Sequence, residues 1–437
     1  MKALNNIAAL CCAVILCSAP AARAQQPWSL DSCISYAHEN NISLKLSKNR
    51  TEGGQLSITE AKSGFLPTVS AGANQSWNIG RGLTSANTYA NRNTSSFSYS
   101  AGMNLPVFSG LRNSRNLALA KANLSQLAEQ YEAAKEDITI NIITSYLQVL
   151  YNKELKEVAV QQVALSEYEL SRREAMLEAG KIPEADLLDA VSQLEQDRMN
   201  LTQTTNDVTL ALVDLAQLLQ LNDVSGFDVL PLADENAMII PADVAYTRAL
   251  QYNHTIEAAR RGITSADKSI SLAKSGYLPS LSFSAGIGSS YYTVSGMQHD
   301  NFGKQMSNNF ATNFGFSLSI PIFDGLQTRN QVRRAKLEKL NAELELEQSE
   351  QQLYRTIQQA YYQAVGAEKK LASAGAAQKA AEAAFTSIQE KYNLGRATPY
   401  EYEQAKTKAL TTTAQQIQAR YELIMRSRLL QFYSEPH

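Results

Sequence analysis

The amino-acid sequence predicts an α+β membrane protein in which one unit occurs twice: a helix, two strands and a long helical hairpin. Three observations carry this prediction. Short motifs recur in the same order in both halves of the 437-residue chain, very long stretches lack helix-breaking residues, and four stretches alternate between apolar and small polar residues. Period-two alternation indicates strands, and long Pro-free runs indicate helices.

The composition excludes several classes of protein. The chain has 40 basic and 42 acidic side chains, so a polyanion-binding surface for nucleic acid is not expected. Its four histidines lack metal-ligand spacing. The G-x-G at 286–288 lies inside a predicted strand, which is not the context of a nucleotide-binding loop. We therefore predict no enzyme activity, no cofactor and no metal site.

The N-terminal segment has the pattern of a secretory signal peptide. A basic Lys2 precedes an apolar run of 11 residues, and Ala22-Arg23-Ala24 is a typical cleavage site. Residues 1–24 are therefore expected to be removed; the alternative is a buried N-terminal helix. Removal leaves Cys33 as the one cysteine, which excludes an intrachain disulfide in the exported chain.

The two halves repeat the same landmarks. Residues 61–71 (AKSGFLPTVSA) and 273–283 (AKSGYLPSLSF) are identical at seven of eleven positions. Later, LPVFSGL at 105–111 is answered by IPIFDGL at 320–326. Self-similarity in register indicates a tandem duplication. The predicted domains are a first repeat at 25–225, a linker at 226–241 and a second repeat at 242–437.

Each repeat is predicted to contain a very long helix. Residues 111–179 contain neither Gly nor Pro and residues 326–394 contain no Pro, which gives each helix a length of about 104 Å. The predicted hairpins are 111–222 and 326–432, and a helix at 29–62 is expected to be interrupted at Gly53-Gly54. Two apolar stripes per long helix suit a wall of helices, while an antiparallel coiled coil is the alternative.

The four predicted strands have one apolar face and one small, polar, uncharged face. Such strands, about 9–13 residues long, suit a bilayer crossing, although a soluble sheet beside helices remains the alternative. Because four strands cannot close a barrel, copies of the chain must share one. Two copies give eight strands and a filled interior, and three give twelve with a lumen. The strands are predicted at about 65–80, 95–108, 278–294 and 309–323.

These motifs together resemble the TolC-like outer-membrane efflux and secretion channels. The resemblance rests on the duplicated L-P-x-[VL]-S strand entry, the P-[VI]-F-[SD]-G strand exit and the Gly-containing hairpin turns. It implies a homotrimer with a shared 12-stranded barrel in outer-membrane lipid and a long α-helical barrel in the periplasm. It further implies an exit duct that meets a periplasmic adaptor protein and, through it, an inner-membrane pump. The alternative is a soluble periplasmic coiled-coil scaffold.

The resemblance also assigns roles to the two hairpin turns. It implies a periplasmic gate in which a ring of Glu401 carboxylates favours cations and raises the acid pKa, and in which Tyr392 bonds Asp186. The alternative is that these acids are solvated charges in the first turn of a helix. The expected gate residues are Asp186, Asp189, Tyr392, Glu401 and Gln404. The expected adaptor-contact residues at the tips are Gly180, Lys181, Ile182, Pro183, Gly395, Arg396, Ala397 and Thr398.

Overall fold

The computed structural model describes residues 27–83, 87–232 and 238–435. The expected signal peptide and residues 233–237 of the expected linker lie outside these ranges. Within them the chain is mostly helical and contains one four-stranded sheet, which confirms the α+β class. No helix in the described ranges is both long enough and apolar enough to cross a membrane.

The helices include two that span 67 residues each. A 3₁₀ turn at Lys274–Tyr277 precedes the third long strand. In chain order the helices are α1 (Leu30–Asn40), α2 (Ile42–Ser63), α3 (Arg112–Glu178), α4 (Glu184–Leu219), α5 (Ala242–Tyr252), α6 (His254–Ala273), α7 (Phe302–Asn308), α8 (Gln327–Asn393) and α9 (Pro399–Ser434).

The chain divides into two compact units, and each contains segments of both sequence repeats. The first unit comprises the described residues of Met1–Lys45, Ala134–Gln251 and Tyr354–His437. The second comprises those of Leu46–Ala133 and Tyr252–Leu353, and it holds the strands. The two long helices, α3 and α8, contribute residues to both units.

The first helical segment is interrupted at Asn41, not at Gly53-Gly54 as the sequence suggested. The Asn41 side chain accepts hydrogen bonds from the backbone N–H groups of Ser43 (2.9 Å) and Leu44 (3.4 Å), which begins α2. Its amide nitrogen donates to the carbonyl oxygen of Leu218 at 2.9 Å. An asparagine that satisfies backbone groups on both sides stabilises a helix break better than glycine does.

Gly54 allows close packing within α2. A Cβ atom added there would meet Leu127 Cδ1 at 2.9 Å and Leu124 Cδ1 at 3.2 Å, whereas at Gly53 it would meet nothing within 4 Å. Glycine at 54 therefore lets α3 approach the α2 backbone, and the helix continues through both residues.

We predict opposite effects for alanine at these two neighbours. Gly53→Ala should stabilise the helix by about 1 kcal/mol because alanine loses less backbone entropy. Gly54→Ala should unfold below the Gly53→Ala variant by about 1–3 kcal/mol, because the added methyl group overpacks the leucines. Unfolding of the purified variants in one detergent measures the difference. Equal stabilisation by both substitutions would contradict the packing role of Gly54.

The four long strands form one antiparallel sheet in the order β1-β4-β5-β6. Their bounds are Thr68–Asn78 for β1, Thr94–Phe108 for β4, Ser280–Val294 for β5 and Ala311–Ser319 for β6. The first strand therefore begins after the Phe65-Leu66-Pro67 entry. Pro67 lacks the N–H that a ladder needs, which places it just outside the strand.

The polar segments that join the strand pairs contain structure that the sequence did not predict. Strands β2 (Arg81–Leu83) and β3 (Tyr89–Asn91) pair with each other beyond the ends of β1 and β4. In the second repeat, α7 occupies the same place in the order, and Asn301 caps it by accepting from the Lys304 N–H at 2.9 Å. These short elements have too few residues to show a clear period.

A hydrophobic core in the first unit joins α1, α3 and α4 to the segment that follows α4. It includes Cys33, Ile142, Tyr146, Leu215 and Val229. The hydroxyl of Tyr146 lies 2.6 Å from the carbonyl oxygen of Leu230 and 3.0 Å from that of Trp28. The buried tyrosine thus holds two backbone segments together while it fills the core.

The Cys33 thiol is expected to be unreactive in the folded chain. Burial raises the pKa of the Cys33 thiol to about 12 because the interior disfavours the thiolate. At pH 8 a disulfide reagent should therefore react about a thousandfold more slowly with Cys33 in the folded than in the unfolded chain. A Ser35→Cys variant is the control, since Ser35 is exposed on the same helix and its added thiol should react at once. Rapid reaction of Cys33 itself would contradict its burial.

Candidate functional site at the helical hairpin tips

The two hairpin turns have the same backbone geometry. Gly180 and Gly395 both have a φ of +68°. The N–H of Lys181 donates to the carbonyl of Met176 at 2.8 Å, and that of Arg396 donates to the carbonyl of Lys391 at 2.8 Å. This is the Schellman pattern, in which a left-handed glycine ends the helix and satisfies its last carbonyls. Both long helices therefore end at a defined position.

The helices that leave the two turns begin differently. Thr398 and Glu401 form a capping box, because the Glu401 N–H donates to Thr398 Oγ1 at 3.2 Å while Glu401 Oε2 accepts from the Thr398 N–H at 2.7 Å. In the first turn Pro183 occupies the N-cap position and makes no side-chain cap. The second tip is therefore fixed by side-chain bonds that the first tip lacks.

The capping box sets the charge state of Glu401. The Thr398 backbone and hydroxyl hydrogen bonds lower the pKa of the Glu401 carboxyl within one chain. A depressed pKa means that the cap is fully formed above the ordinary glutamate pKa and is lost as pH falls through the lowered value. A ring of three such carboxylates would act in the opposite direction.

The other expected gate acids lie on α4 near its start. Asp186 is half-buried, and its backbone carbonyl accepts a 2.8 Å hydrogen bond from Nη1 of Arg173. Asp189 is exposed, as is Gln404 on α9. The tip residues Lys181, Pro183, Arg396 and Thr398 are also exposed, and Ile182 and Ala397 are half-buried. The turns therefore present polar surface and little apolar surface.

Tyr392 is buried and contacts both helices opposite it. Its ring stacks on Tyr402 with centroids 4.7 Å apart, and the guanidinium of Arg172 lies 4.4 Å from its centroid. Arg172 also donates to the Tyr392 carbonyl at 3.2 Å and to Oδ1 of Asn393 at 3.0 Å. This cation–π contact and the two hydrogen bonds join α3 of the first hairpin to α8 of the second.

Two polar groups buried beside this contact have no partner among the described residues. They are the hydroxyl of Tyr402 and Oε2 of Glu169. Burial raises the pKa of both groups, although Arg172 and Arg173 lower that of Glu169 in part. Leaving a buried polar group without a partner costs about 1–3 kcal/mol, so this packing contains a local energetic cost.

A second polar cluster lies deeper in the hairpins. The Lys406 ammonium is buried and donates to Oγ of Ser166 at 2.6 Å, and it lies 3.5 Å from Oδ2 of Asp197. Asp197 is also buried and accepts from Gln162 at 2.6 Å and from Gln193 at 2.9 Å. The cluster, defined as Ser166, Asp197 and Lys406 with these two amides, links α3, α4 and α9 through charged and polar groups in a dry interior.

Sequence reasoning did not identify Arg172, Lys406 or Asp197 as site residues. A signal existed, because Lys406 follows Tyr402 and precedes Ala409 on one helical face, where an apolar residue is expected. A second signal is the failure of the repeat. At the offset of 215 residues, Asp197 corresponds to Thr412 and Lys406 to Val191. The two clusters therefore break the twofold symmetry of the sequence.

Solved structures with this fold are outer-membrane channels. The Campylobacter jejuni CmeC outer membrane channel superposes with a TM-score of 0.76 at 16% identity, over 93% of this chain and 85% of that one. The outer membrane protein VceC from Vibrio cholerae gives 0.74 at 15% identity, over 93% and 96%. The fold therefore defines a channel of the TolC-like class.

The sequence comparison defines the family. The profile described as "Outer membrane efflux protein" matches residues 33–220 and 245–433, and the chain belongs to this family. Relatives include the outer membrane efflux protein BepC of Brucella suis, 21% identical over 91% of this chain and 83% of BepC. TolC of Escherichia coli is 22% identical over 89% of this chain and 78% of TolC.

Family membership confirms the predicted function and location. The protein is an outer-membrane channel of efflux or secretion systems, with its helical tunnel in the periplasm. A soluble coiled-coil scaffold is not favoured. The family is one of transport proteins, in agreement with a chain that has no enzymatic role.

Proposed function

We propose that three copies of this chain form the exit duct of a tripartite efflux or type I secretion system. Each chain contributes four strands to a 12-stranded transmembrane barrel and its long helices to a periplasmic helical barrel. Substrate passes from an inner-membrane pump, through a periplasmic adaptor protein, into this duct and out of the cell. The repeats at 25–225 and 242–437 are two copies of one structural unit, joined by the linker at 226–241.

One observation carries this proposal: the sheet has two open edges. Among the described residues, β1 pairs only with β4 and β6 only with β5. Apolar side chains on these edge strands are strongly exposed, including Val69, Trp77 and Phe314 at 75%, 68% and 78%. In a bilayer an unpaired backbone group costs several kcal/mol, so both edges require another strand.

Three chains suit a duct better than two. Eight strands close a barrel whose interior is filled by its own side chains, whereas twelve leave room for a lumen. The polar face of the sheet is built from small residues such as Ser282, Ser284 and Gly286. Small side chains on the inner face enlarge a lumen of a given strand number, in line with passage of solutes.

The hairpin tips are proposed to be the periplasmic gate. Arg172 ties the first hairpin to the second at Tyr392, while Asp186, Asp189, Glu401 and Gln404 stand in the first turns of the helices beyond the tips. The unpartnered Tyr402 hydroxyl and Glu169 carboxylate oxygen favour a second arrangement in which they find partners. The closed packing is therefore poised to change.

The tips are also the proposed contact with the adaptor. The two turns, 180–183 and 395–398, have matching backbone geometry, so three chains present six similar projections. Their exposed residues are polar, as expected of a contact that forms reversibly in water. Lys181 and Arg396 place one positive charge at the same position of each turn.

The number of chains per particle tests the proposal. Full-length protein extracted from outer membranes into detergent should have a protein mass, by light scattering, equal to three mature chains. Single-channel recordings of the same preparation should show small, long-lived, cation-selective steps, because the resting tip is narrow and acidic. A monomer that is released from membranes by carbonate would overturn the proposal.

A further inference from the structure

The two faces of the sheet continue onto the helix that follows it. In the β5–β6 ladder, Leu281 pairs with Leu318 on one face, and Ser280 pairs with Ser319 on the other. Because successive side chains alternate, the whole sheet has an apolar and a polar side. In the proposed barrel the apolar side meets lipid and the polar side lines the lumen.

A cleft identifies the polar side of α8. The cleft has a volume of about 630 Å³ and is lined by Ser280 and Ser319, together with the α8 residues Gln331, Arg334 and Glu338. Since both serines belong to the polar face of the sheet, these three α8 residues mark the side of the helix that continues that face.

The opposite side of α8 carries three basic residues. At about 100° per residue, Arg329, Arg333 and Lys336 centre roughly half a turn around the helix axis from the cleft residues. All three are exposed. We call Arg329, Arg333 and Lys336 the basic face; it continues the apolar side of the sheet.

The basic face begins close to the end of the apolar surface. Ile320, Ile322 and Phe323 are 61%, 95% and 80% exposed just before α8 starts at Gln327. Arg329 and Arg333 lie about 3 and 9 Å along the helix from that start. Each headgroup layer is about 5–8 Å thick, and long basic side chains reach toward it. An apolar belt followed by cations is typical of a membrane–water interface.

We propose that the basic face binds the phosphate groups of anionic phospholipids in the periplasmic leaflet of the outer membrane. This inference rests on the proposed function, because it places the sheet in the bilayer. Guanidinium groups bind phosphate oxygens in pairs, and three cations within two helical turns suit a negatively charged headgroup better than a zwitterionic one. Bound lipid would fix the depth of the strands in the membrane.

Two matched variants test the site. Arg329→Gln/Arg333→Gln removes two charges from the basic face, and Arg112→Gln/Arg334→Gln removes two from the cleft on the polar side. Full-length protein is assembled into nanodiscs that contain phosphatidylcholine with phosphatidylglycerol. Lipid retained after extraction is then counted by native mass spectrometry.

The unaltered protein should retain phosphatidylglycerol over phosphatidylcholine. The basic-face variant should lose about fivefold or more of that preference, and the cleft variant should keep it. Equal loss in both variants, or no loss in the basic-face variant, would overturn the inference. Displacement of the lipid by inorganic phosphate, but not by chloride at the same ionic strength, would also overturn it, since the site would then be one for free anions.

The outcome separates this inference from the proposed function. Insertion into nanodiscs without any preference for phosphatidylglycerol overturns the lipid site alone. Failure of the unaltered protein and both variants to enter nanodiscs overturns the membrane-spanning sheet, and the lipid site with it.

Discussion

Lys406→Met is expected to destabilise the helical hairpins by about 3–5 kcal/mol, because it leaves the buried carboxylate of Asp197 without its cation. Lys406 and Asp197 have side-chain exposures of 2% each, so solvent cannot replace the lost charge. Hydrogen bonds from Gln162 and Gln193 remain and place the effect toward the lower end of this range. The thermal unfolding midpoint in detergent, at one fixed scan rate, should fall by several degrees.

A matched control and a double variant make this prediction specific. Lys408→Met removes the same charge two residues away on the exposed side of α9 and should change stability by less than about 0.5 kcal/mol. Asp197→Leu/Lys406→Met replaces the whole pair by apolar side chains and should recover most of the loss. If Lys406→Met and Lys408→Met unfold alike, the buried pair does not stabilise the hairpins.

Arg172→Gln is expected to open the resting channel. The arginine joins the two hairpins through the ring and carbonyl of Tyr392, contacts worth together about 2 kcal/mol. Loss of that energy from the closed state alone would shift an equilibrium between closed and open tips by about thirtyfold. Single-channel conductance in a planar bilayer should rise, and long closed periods should shorten. Arg198→Gln is the control, because Arg198 pairs with Glu167 and Glu195 inside the first hairpin.

The tyrosine discriminates between two locks. If a hydroxyl bond from Tyr392 to Asp186 holds the closed state, as the family resemblance implies, Tyr392→Phe should open the channel as much as Arg172→Gln. If the cation–π contact holds it, Tyr392→Phe should leave conductance unchanged, because the ring and the carbonyl remain. Tyr392→Ala should open the channel in either case. We expect the phenylalanine variant to stay closed.

Local features in the sequence were enough to predict the long helices and their turns. The run 111–179 lacks Gly and Pro, and α3 occupies Arg112–Glu178 within it. Gly180 and Gly395 end the two long helices because a left-handed residue is needed there. Such features depend on residues that are near each other in the chain, which is why one sequence suffices to find them.

Contacts between distant segments could not be predicted in the same way. Gly53-Gly54 is the stronger helix breaker by composition, and only the position of Leu127 shows why the helix continues through it. Arg172 and Tyr392 are 220 residues apart, and nothing in either local sequence indicates that a guanidinium would lie over that ring. Their contact follows from how the hairpins pack.

The helix breaks carry a record of how the chain arose. Asn41 interrupts the first helical segment, and Asn253 separates α5 from α6 by accepting from the Ile256 N–H. They are 212 residues apart, the same offset as the AKSG motifs, so the break was present in a single-repeat ancestor before the gene doubled. Six identical ancestral chains would have made a sixfold ring with unlocked tips. Arg172, Tyr392 and Lys406 have no counterparts at the repeat offset, so the lock was acquired later, when descent had already made the two halves free to differ.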